Sequence, residues 1–267
     1  MNQIASARNP LIKNFMKVVE GKGPKEAAEL PLEGVHLIRE AINSGVFVEQ
    51  FFYAPEIVNP EMLTSLLHSL PADTMKIAVS KKIFKVIAQT ENPQGVAALV
   101  SYPTFELEKI IARPNLLGLV ADTVQDPGNL GTMIRSSAAA GLDAVFLTPG
   151  TVRLSNPKML RSTAGALFHV PVLFTGDIHA FWVQVRARDI AVIGAHPRAE
   201  RYYFEEDFCR PSLIVIGNEN RGISRSAHPV DSMVRIPLVP EMESINASVA
   251  AGIIIYEAWR QRAGQGR

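Results

Sequence analysis

The chain has 267 residues, 47% of them hydrophobic and 20% charged, with a formal net charge of +1. That balance excludes a disordered chain, and it excludes one drawn to polyanions by overall charge; any nucleic-acid surface has to be a local patch. Cys209 is the only cysteine, which excludes an internal disulfide and a multi-cysteine zinc site. No apolar run reaches membrane-spanning length or forms a secretory leader. These features predict a soluble, intracellular protein, placed in the cytoplasm, with no membrane or metal partner. The length fits two domains.

The first segment is basic, with Arg8, Lys13, Lys17, Lys22 and Lys25 against Glu20 and Glu26. Asn9-Pro10 opens a short helix, and Gly21 with Gly23-Pro24 stops it. Its lysines form either a solvated face or a patch for a nucleic-acid backbone. Leu32-Glu33-Gly34 leads into a helix through Val35, Leu37, Ile38, Ala41 and Ile42, ended by Gly45, and a strand follows from Val46 to Tyr53. The pattern continues with a helix at Pro60 to Leu70 and a strand at Met75 to Val79. Ser80 then caps a helix from Lys81 to Ala88, before a last strand at Val96 to Val100. Alternating strands and helices predict a small α/β domain over residues 1–100. Residues 101–115 carry two prolines and four charged residues and read as a linker.

Residues 116–267 form the second predicted domain. Leu116 to Val120 is a short apolar run of the buried-strand type. A polar loop from Asp122 to Gly128 follows, with Pro127-Gly128 as its turn signal. From Asn129 the period becomes helical: Leu130, Met133, Ile134, Ser137, Ala138 and Gly141 share one face. Asn129 is suited to cap that helix and Gly141 to end it in a left-handed turn. Ala144 to Leu147 is the next strand, ending at Thr148-Pro149-Gly150. Arg135 lies off the apolar face and leans back toward the loop, at the sheet edge where open α/β folds bind ligands.

Ser155 to Ala166 has a helical apolar pattern with Lys158, Arg161 and Ser162 on it, either a surface helix or a contact for RNA phosphates. Val170 to Phe174 and Ile190 to Gly194 read as strands flanking a helix around Phe181 and Trp182. Leu213 to Ile216 is a strand running into Gly217-Asn218-Glu219-Asn220-Arg221-Gly222, where the glycines permit close backbone approach and Glu219 offers a carboxylate. Val234 to Leu238 is a further strand, followed by Pro240 to Asn246 and a long helix from Ala247 to Arg262, with Ser244 and Asn246 as candidate caps. Three strand ends thus deliver polar groups to one edge. No G-x-G-x-x-G stands between a strand and a helix, and no G-x-x-x-x-G-K-[ST] occurs, so neither the Rossmann fingerprint nor a P-loop is present.

These residues resemble the SpoU (TrmH-like) family of RNA ribose 2′-O-methyltransferases, within the SPOUT superfamily. The family's first motif matches Asn129, Gly131, Arg135 and Gly141, and its second matches Gly217, Glu219 and Gly222. The third matches Ile236, Pro237, Ser244, Asn246, Ser248 and Ala250, with Ile245 where leucine is usual. Residues 1–100 resemble, through Glu33-Gly34 and Asn92-Pro93-Gln94-Gly95, the substrate-binding domain often found ahead of the methyltransferase.

The resemblance implies a parallel sheet whose C-terminal segment is threaded into a deep trefoil knot, an exception to the rule against threaded chains. It implies S-adenosylmethionine as methyl donor, contacted by Thr148, Gly217, Asn218, Ile236, Leu238 and Ile245, and RNA as substrate, with ribosomal RNA favoured over transfer RNA by the extra domain. It also implies a homodimer, for which Ile253, Ile254, Ile255, Tyr256 and Trp259 offer an apolar surface. Its catalytic set is Arg135, Asn129, Glu219, Ser244 and Asn246. In that set Arg135 is either the base for the ribose hydroxyl or a clamp for phosphate and developing alkoxide. The alternatives are a transfer-RNA ribose methyltransferase, a base methyltransferase of the same superfamily, and a knotted RNA-binding protein without catalysis.

Overall fold

A computed structural model describes residues 3–22, 29–224 and 229–264. Lys25 and Glu26 of the basic segment lie outside the described residues. The chain divides into two compact units, Met1–Thr104 with Arg153–Phe168, and Phe105–Val152 with His169–Arg267.

The first unit holds α1 (Pro10–Val19), β1 (Glu29–Glu33), α2 (Val35–Asn43), β2 (Phe47–Tyr53), α3 (Pro60–Ser69), β3 (Met75–Ala78), α4 (Lys81–Ile87) and β4 (Val96–Ser101). The strands form one mixed sheet in the order β1-β4-β2-β3, antiparallel except between β2 and β3. Strand β1 is absent from the sequence expectation. Pro31 in Glu-Leu-Pro-Leu-Glu obscures it, but β1 is an edge strand, where a missing N–H is tolerated. Helices α1 and α4 bury Ile12, Phe15, Ile83 and Phe84 against Phe52 and Leu99 of the sheet. The two segments that resemble the substrate-binding domain meet: the Gln94 side chain accepts from Val35 N–H at 2.9 Å, capping α2, and Glu33 accepts from Gln89 N–H at 2.6 Å.

Residues 101–115 are more than a linker: they end β4 and include a short helix, α5 (Leu107–Ile111), that buries Ile110 and Ile111. There follow β5 (Leu117–Ala121), α6 (Pro127–Ala139), β6 (Ala144–Leu147), α7 (Pro157–Thr163), β7 (Val172–Phe174), α8 (Ile178–Arg186), β8 (Ala191–Ala195), β9 (Arg201–Tyr202), β10 (Ser212–Ile216), β11 (Ser232–Arg235) and α9 (Ala247–Ala263). Helix α7 belongs to the first unit and packs on β1.

The second unit is built on a seven-stranded sheet in the order β7-β6-β5-β10-β8-β11-β9, parallel throughout. β5, β6 and β10 are buried along their whole length, the pattern of parallel strands covered on both faces. The C-terminal ends of β5, β6 and β10 are level, with Ala121 opposite both Leu147 and Ile216. The loops leaving these strands therefore open on one edge. Helix α6 ends as expected, with Gly141 left-handed at φ +69°. Among the described residues no helix is long and apolar enough to cross a membrane.

Arg262, near the end of α9, is 6% exposed and was no part of the expected site. Its guanidinium donates to four carbonyls, those of Asn115 at 2.6 Å, Phe208 at 2.7 Å, Arg210 at 2.8 Å and Leu116 at 3.2 Å, pinning α9 to the start of β5 and the approach to β10. Arg262→Met keeps the stem but leaves those acceptors without their donor. It should cost about 2–4 kcal/mol, read as a lower melting temperature; an unchanged melting curve would show that the anchor is dispensable.

Candidate active site

The loop after β5 begins with Asp122, a buried carboxylate. Its Oδ1 accepts from the Thr148 hydroxyl at 3.0 Å, and its Oδ2 accepts from Ser224 N–H at 2.8 Å. The Thr148 hydroxyl in turn accepts from Thr123 N–H at 2.9 Å. The Asn218 side chain donates to Thr123 C=O at 2.9 Å. One acid at a strand end thus ties together the loops leaving β5, β6 and β10. The sequence signal for it is slight: a single aspartate directly after an apolar run.

Helix α6 starts two residues earlier than its periodicity suggests. Asp126, not Asn129, is its cap, accepting from Asn129 N–H at 2.8 Å, and Pro127 occupies the first turn, where a missing N–H costs nothing. This correction frees the Asn129 side chain. Its Nδ2 donates to Glu219 Oε1 at 2.9 Å, and its Oδ1 accepts from Asn246 Nδ2 at 2.9 Å. Because one amide face meets a carboxylate, the donor and acceptor ends of Asn129 follow from the partners themselves. Asn246 caps α9 as expected, its Oδ1 accepting from Ser248 N–H at 2.8 Å and the Ser248 hydroxyl at 2.6 Å. A line of side chains, Asn246 to Asn129 to Glu219, therefore joins the loop before α9, the start of α6 and the loop after β10.

Ser244 is exposed and makes no side-chain hydrogen bond among the described residues, so only Asn246 acts as the cap. Arg135 is also exposed. Among the described residues no carboxylate or carbonyl holds its guanidinium, and it stands outside the line formed by Asn129.

Glu219 accepts, besides Asn129, from Asp126 N–H at 3.2 Å and Gln125 N–H at 3.4 Å. Partial burial pushes its carboxyl up. The hydrogen bonds from Asn129 and from the backbone N–H groups of Glu219, Asp126 and Gln125 outweigh that and hold it below its ordinary value of 4.5. The charged form is thus favoured by folding, and its stabilisation, present at neutral pH, is lost as pH falls through the lowered value. Glu219→Gln should therefore lower the melting temperature modestly at pH 7, with the gap to the unmodified protein closing under acid conditions. A gap independent of pH would mean that the charge plays no part.

Gly217 is buried, and a Cβ built on it would lie 2.2 Å from Gly222 C and 2.3 Å from Ile223 N. The close approach that demands glycine is to its own loop. That loop is closed by Asn218 N–H to Gly222 C=O at 3.0 Å and Gly222 N–H to Asn218 C=O at 2.9 Å. The Asn218 Oδ1 accepts from Asn220 N–H at 3.0 Å and Arg221 N–H at 3.1 Å, so Asn218 shapes the turn from within. Strand β11 stops at Arg235, short of the expected Leu238. From Leu238 to Ile245 the described chain has one backbone–backbone hydrogen bond, Met242 N–H to Val239 C=O at 3.0 Å. The backbone of Leu238 and Ile245 makes no backbone–backbone hydrogen bond among the described residues, and Ile236, Leu238 and Ile245 are partly buried.

The family model described as the SpoU rRNA Methylase family matches residues 117–256, and that described as the MRM3-like substrate binding domain matches residues 9–98. The chain belongs to the SpoU rRNA methylase family. This SpoU-family chain is 33% identical to the 23S rRNA guanosine 2′-O-methyltransferase RlmP of Bacillus subtilis, over 96% of its own length and 98% of that protein. It is 32% identical to an uncharacterised tRNA/rRNA methyltransferase of Synechocystis, over 97% and 94% of the two chains. Among solved structures, the SpoU methyltransferase AviRb of Streptomyces viridochromogenes, in complex with the cofactor AdoMet, is similar with a TM-score of 0.84 and 28% identity, over 97% of this chain and 100% of that one.

Proposed function

We propose that this chain methylates the 2′-hydroxyl of ribose in RNA with S-adenosylmethionine as methyl donor, and that its substrate is ribosomal RNA. The observation that carries the reading is the Asn246–Asn129–Glu219 line, which locks three loops at one sheet edge, with Arg135 exposed on the same helix α6 and without a partner among the described residues. The full-length match to RlmP, N-terminal domain included, favours ribosomal over transfer RNA.

S-adenosylmethionine fits the donor set. Its adenosine needs backbone N–H and C=O groups and an apolar lining, and the loops with Gly217, Leu238 and Ile245 offer both at the sheet edge. Thr148 and Asn218 commit their polar side-chain atoms to the protein and hold those loops in shape. When bound, the donor supplies a methyl group on a sulfonium, already activated, so that positioning provides much of the rate.

A guanidinium does not surrender its proton in proteins, which weighs against Arg135 as base. Arg135 instead holds an RNA phosphate and stabilises charge developing on the ribose oxygen. Glu219, ionised and fixed by Asn129, keeps acceptor capacity for a ribose hydroxyl and orients it. Asn246 positions Asn129.

The threaded C-terminal segment is supported by the strand order, which inserts β10 between β5 and β8 and returns α9 against α6. A homodimer is supported by α9, where Tyr256 and Trp259 are half exposed with ring centroids 6.3 Å apart. Ile254 and Ile255, counted in the same surface from sequence, are instead fully buried in the core. Ribosomal RNA from cells lacking the protein tests the function. One 2′-O-methyl mark should vanish and return with the intact gene; an unaltered set of marks would oppose the reading.

A further inference from the structure

The first unit gathers cations that are far apart in sequence. Helices α1, α4 and α7 contain no acidic residue, and each turns a pair of cations to solvent, Lys13 and Lys17, Lys82 and Lys85, Lys158 and Arg161, with Lys81 also exposed on α4. The spacings of three and four put each pair on one helical face. The helices meet: Phe15 and Val19 of α1, Ile87 of α4, and Leu160 and Arg161 of α7 line one shared cleft. Among the described residues, no carboxylate pairs with Lys13, Lys17, Lys82, Lys85 or Arg161.

With a net charge of only +1 over the chain, these seven cations on one helical layer make a strong local asymmetry. The ammonium groups are exposed on regular helices, the arrangement that meets a phosphate backbone rather than base edges. We infer that the α1–α4–α7 face is a binding surface for the RNA phosphate backbone, with α7 reaching it from the stretch between β6 and β7. This inference rests on RNA being the substrate.

The experiment uses the full chain and a labelled RNA hairpin, with binding followed by fluorescence anisotropy across a salt series. Lys13→Gln, Lys17→Gln and Lys85→Gln are combined. Glutamine is close to lysine in helix propensity, so the helices stay intact. The triple variant should lose tenfold or more in RNA affinity, and its slope of log affinity against log salt should flatten by about two. S-adenosylmethionine binding by calorimetry and the melting temperature should not move. A charge-matched control, Lys76→Gln with Lys109→Gln and Arg188→Gln, should keep most of the affinity. Adding Arg161→Gln to the triple variant should weaken binding further, placing α7 on the same ligand.

Wild-type affinity and salt slope in the triple variant, with the unmodified protein binding RNA, would overturn the surface and leave the methyltransferase reading standing. No RNA binding by the unmodified protein would overturn both. Loss of binding to phosphatidylserine vesicles, with RNA affinity unchanged, would assign the face to a membrane and overturn it as well.

Discussion

Arg135→Ala should reduce methyl transfer to RNA by about 10²–10³-fold, the loss typical of removing one donor aimed at developing negative charge. S-adenosylmethionine affinity should hardly change, because the loops proposed to hold the donor are tied together by hydrogen bonds of Asp122, Thr148 and Asn218 in which Arg135 takes no part. Stability should not change either, since Arg135 is exposed and no partner among the described residues is left behind. Arg135→Lys separates the two roles. A lysine retains the charge and loses the planar fork, so a phosphate clamp should survive in part while a base should fail. Single-turnover rates at saturating methyl donor, with donor affinity measured separately by calorimetry, read both effects. Turnover of Arg135→Ala close to that of the unmodified enzyme would reduce the residue to a solvated position on α6.

Gly217→Val should have the complementary effect. Any side chain here meets the backbone of Gly222 and Ile223 at 2.2–2.5 Å, and backbone cannot swing aside as a flexible side chain can. The 217–222 turn must open, breaking the paired hydrogen bonds between Asn218 and Gly222 and displacing Glu219 from Asn129. Overpacking of this kind costs about 1–3 kcal/mol, and it falls on the loop proposed to meet the donor. Donor affinity should therefore drop tenfold or more while the protein still unfolds cooperatively at a lower temperature. Gly222→Ala is the contrast. Its Cβ would have nothing closer than 4.0 Å, and the strain arises only from φ +69°. It should weaken stability while sparing donor affinity more than Gly217→Val. Unchanged affinity in Gly217→Val would move the donor site away from this loop.

The β5–α6–β6 unit was legible in the sequence nearly to the residue, because uniform apolar runs and a clean helical period leave little choice. The N-terminus of α6 was not. Asp126 and Asn129 are both good caps, and what decides between them is Pro127, whose fixed φ and missing N–H suit the first turn. Strand β1 was hidden by Pro31, harmless only because of an edge position that sequence does not reveal. Motif spacing singled out Asn129, Glu219 and Asn246, yet their hydrogen bonds span 90 and 117 residues, and nothing local says which amide meets which carboxylate. The same holds for Asp122 bonding Ser224 and for Arg262 reaching Asn115. Helix α7 reads correctly as a helix, but its membership of the first unit depends on contacts with β1 far behind it in sequence.

The most direct test is the chemical identity of the product. Ribosomal RNA incubated with the protein and isotopically labelled S-adenosylmethionine, then digested to nucleosides and resolved by mass spectrometry, should carry the label on ribose as a single 2′-O-methylnucleoside. Arg135→Ala should leave the RNA nearly unlabelled over the same incubation. Label on a base, or none in the presence of the unmodified protein, would contradict ribose methylation.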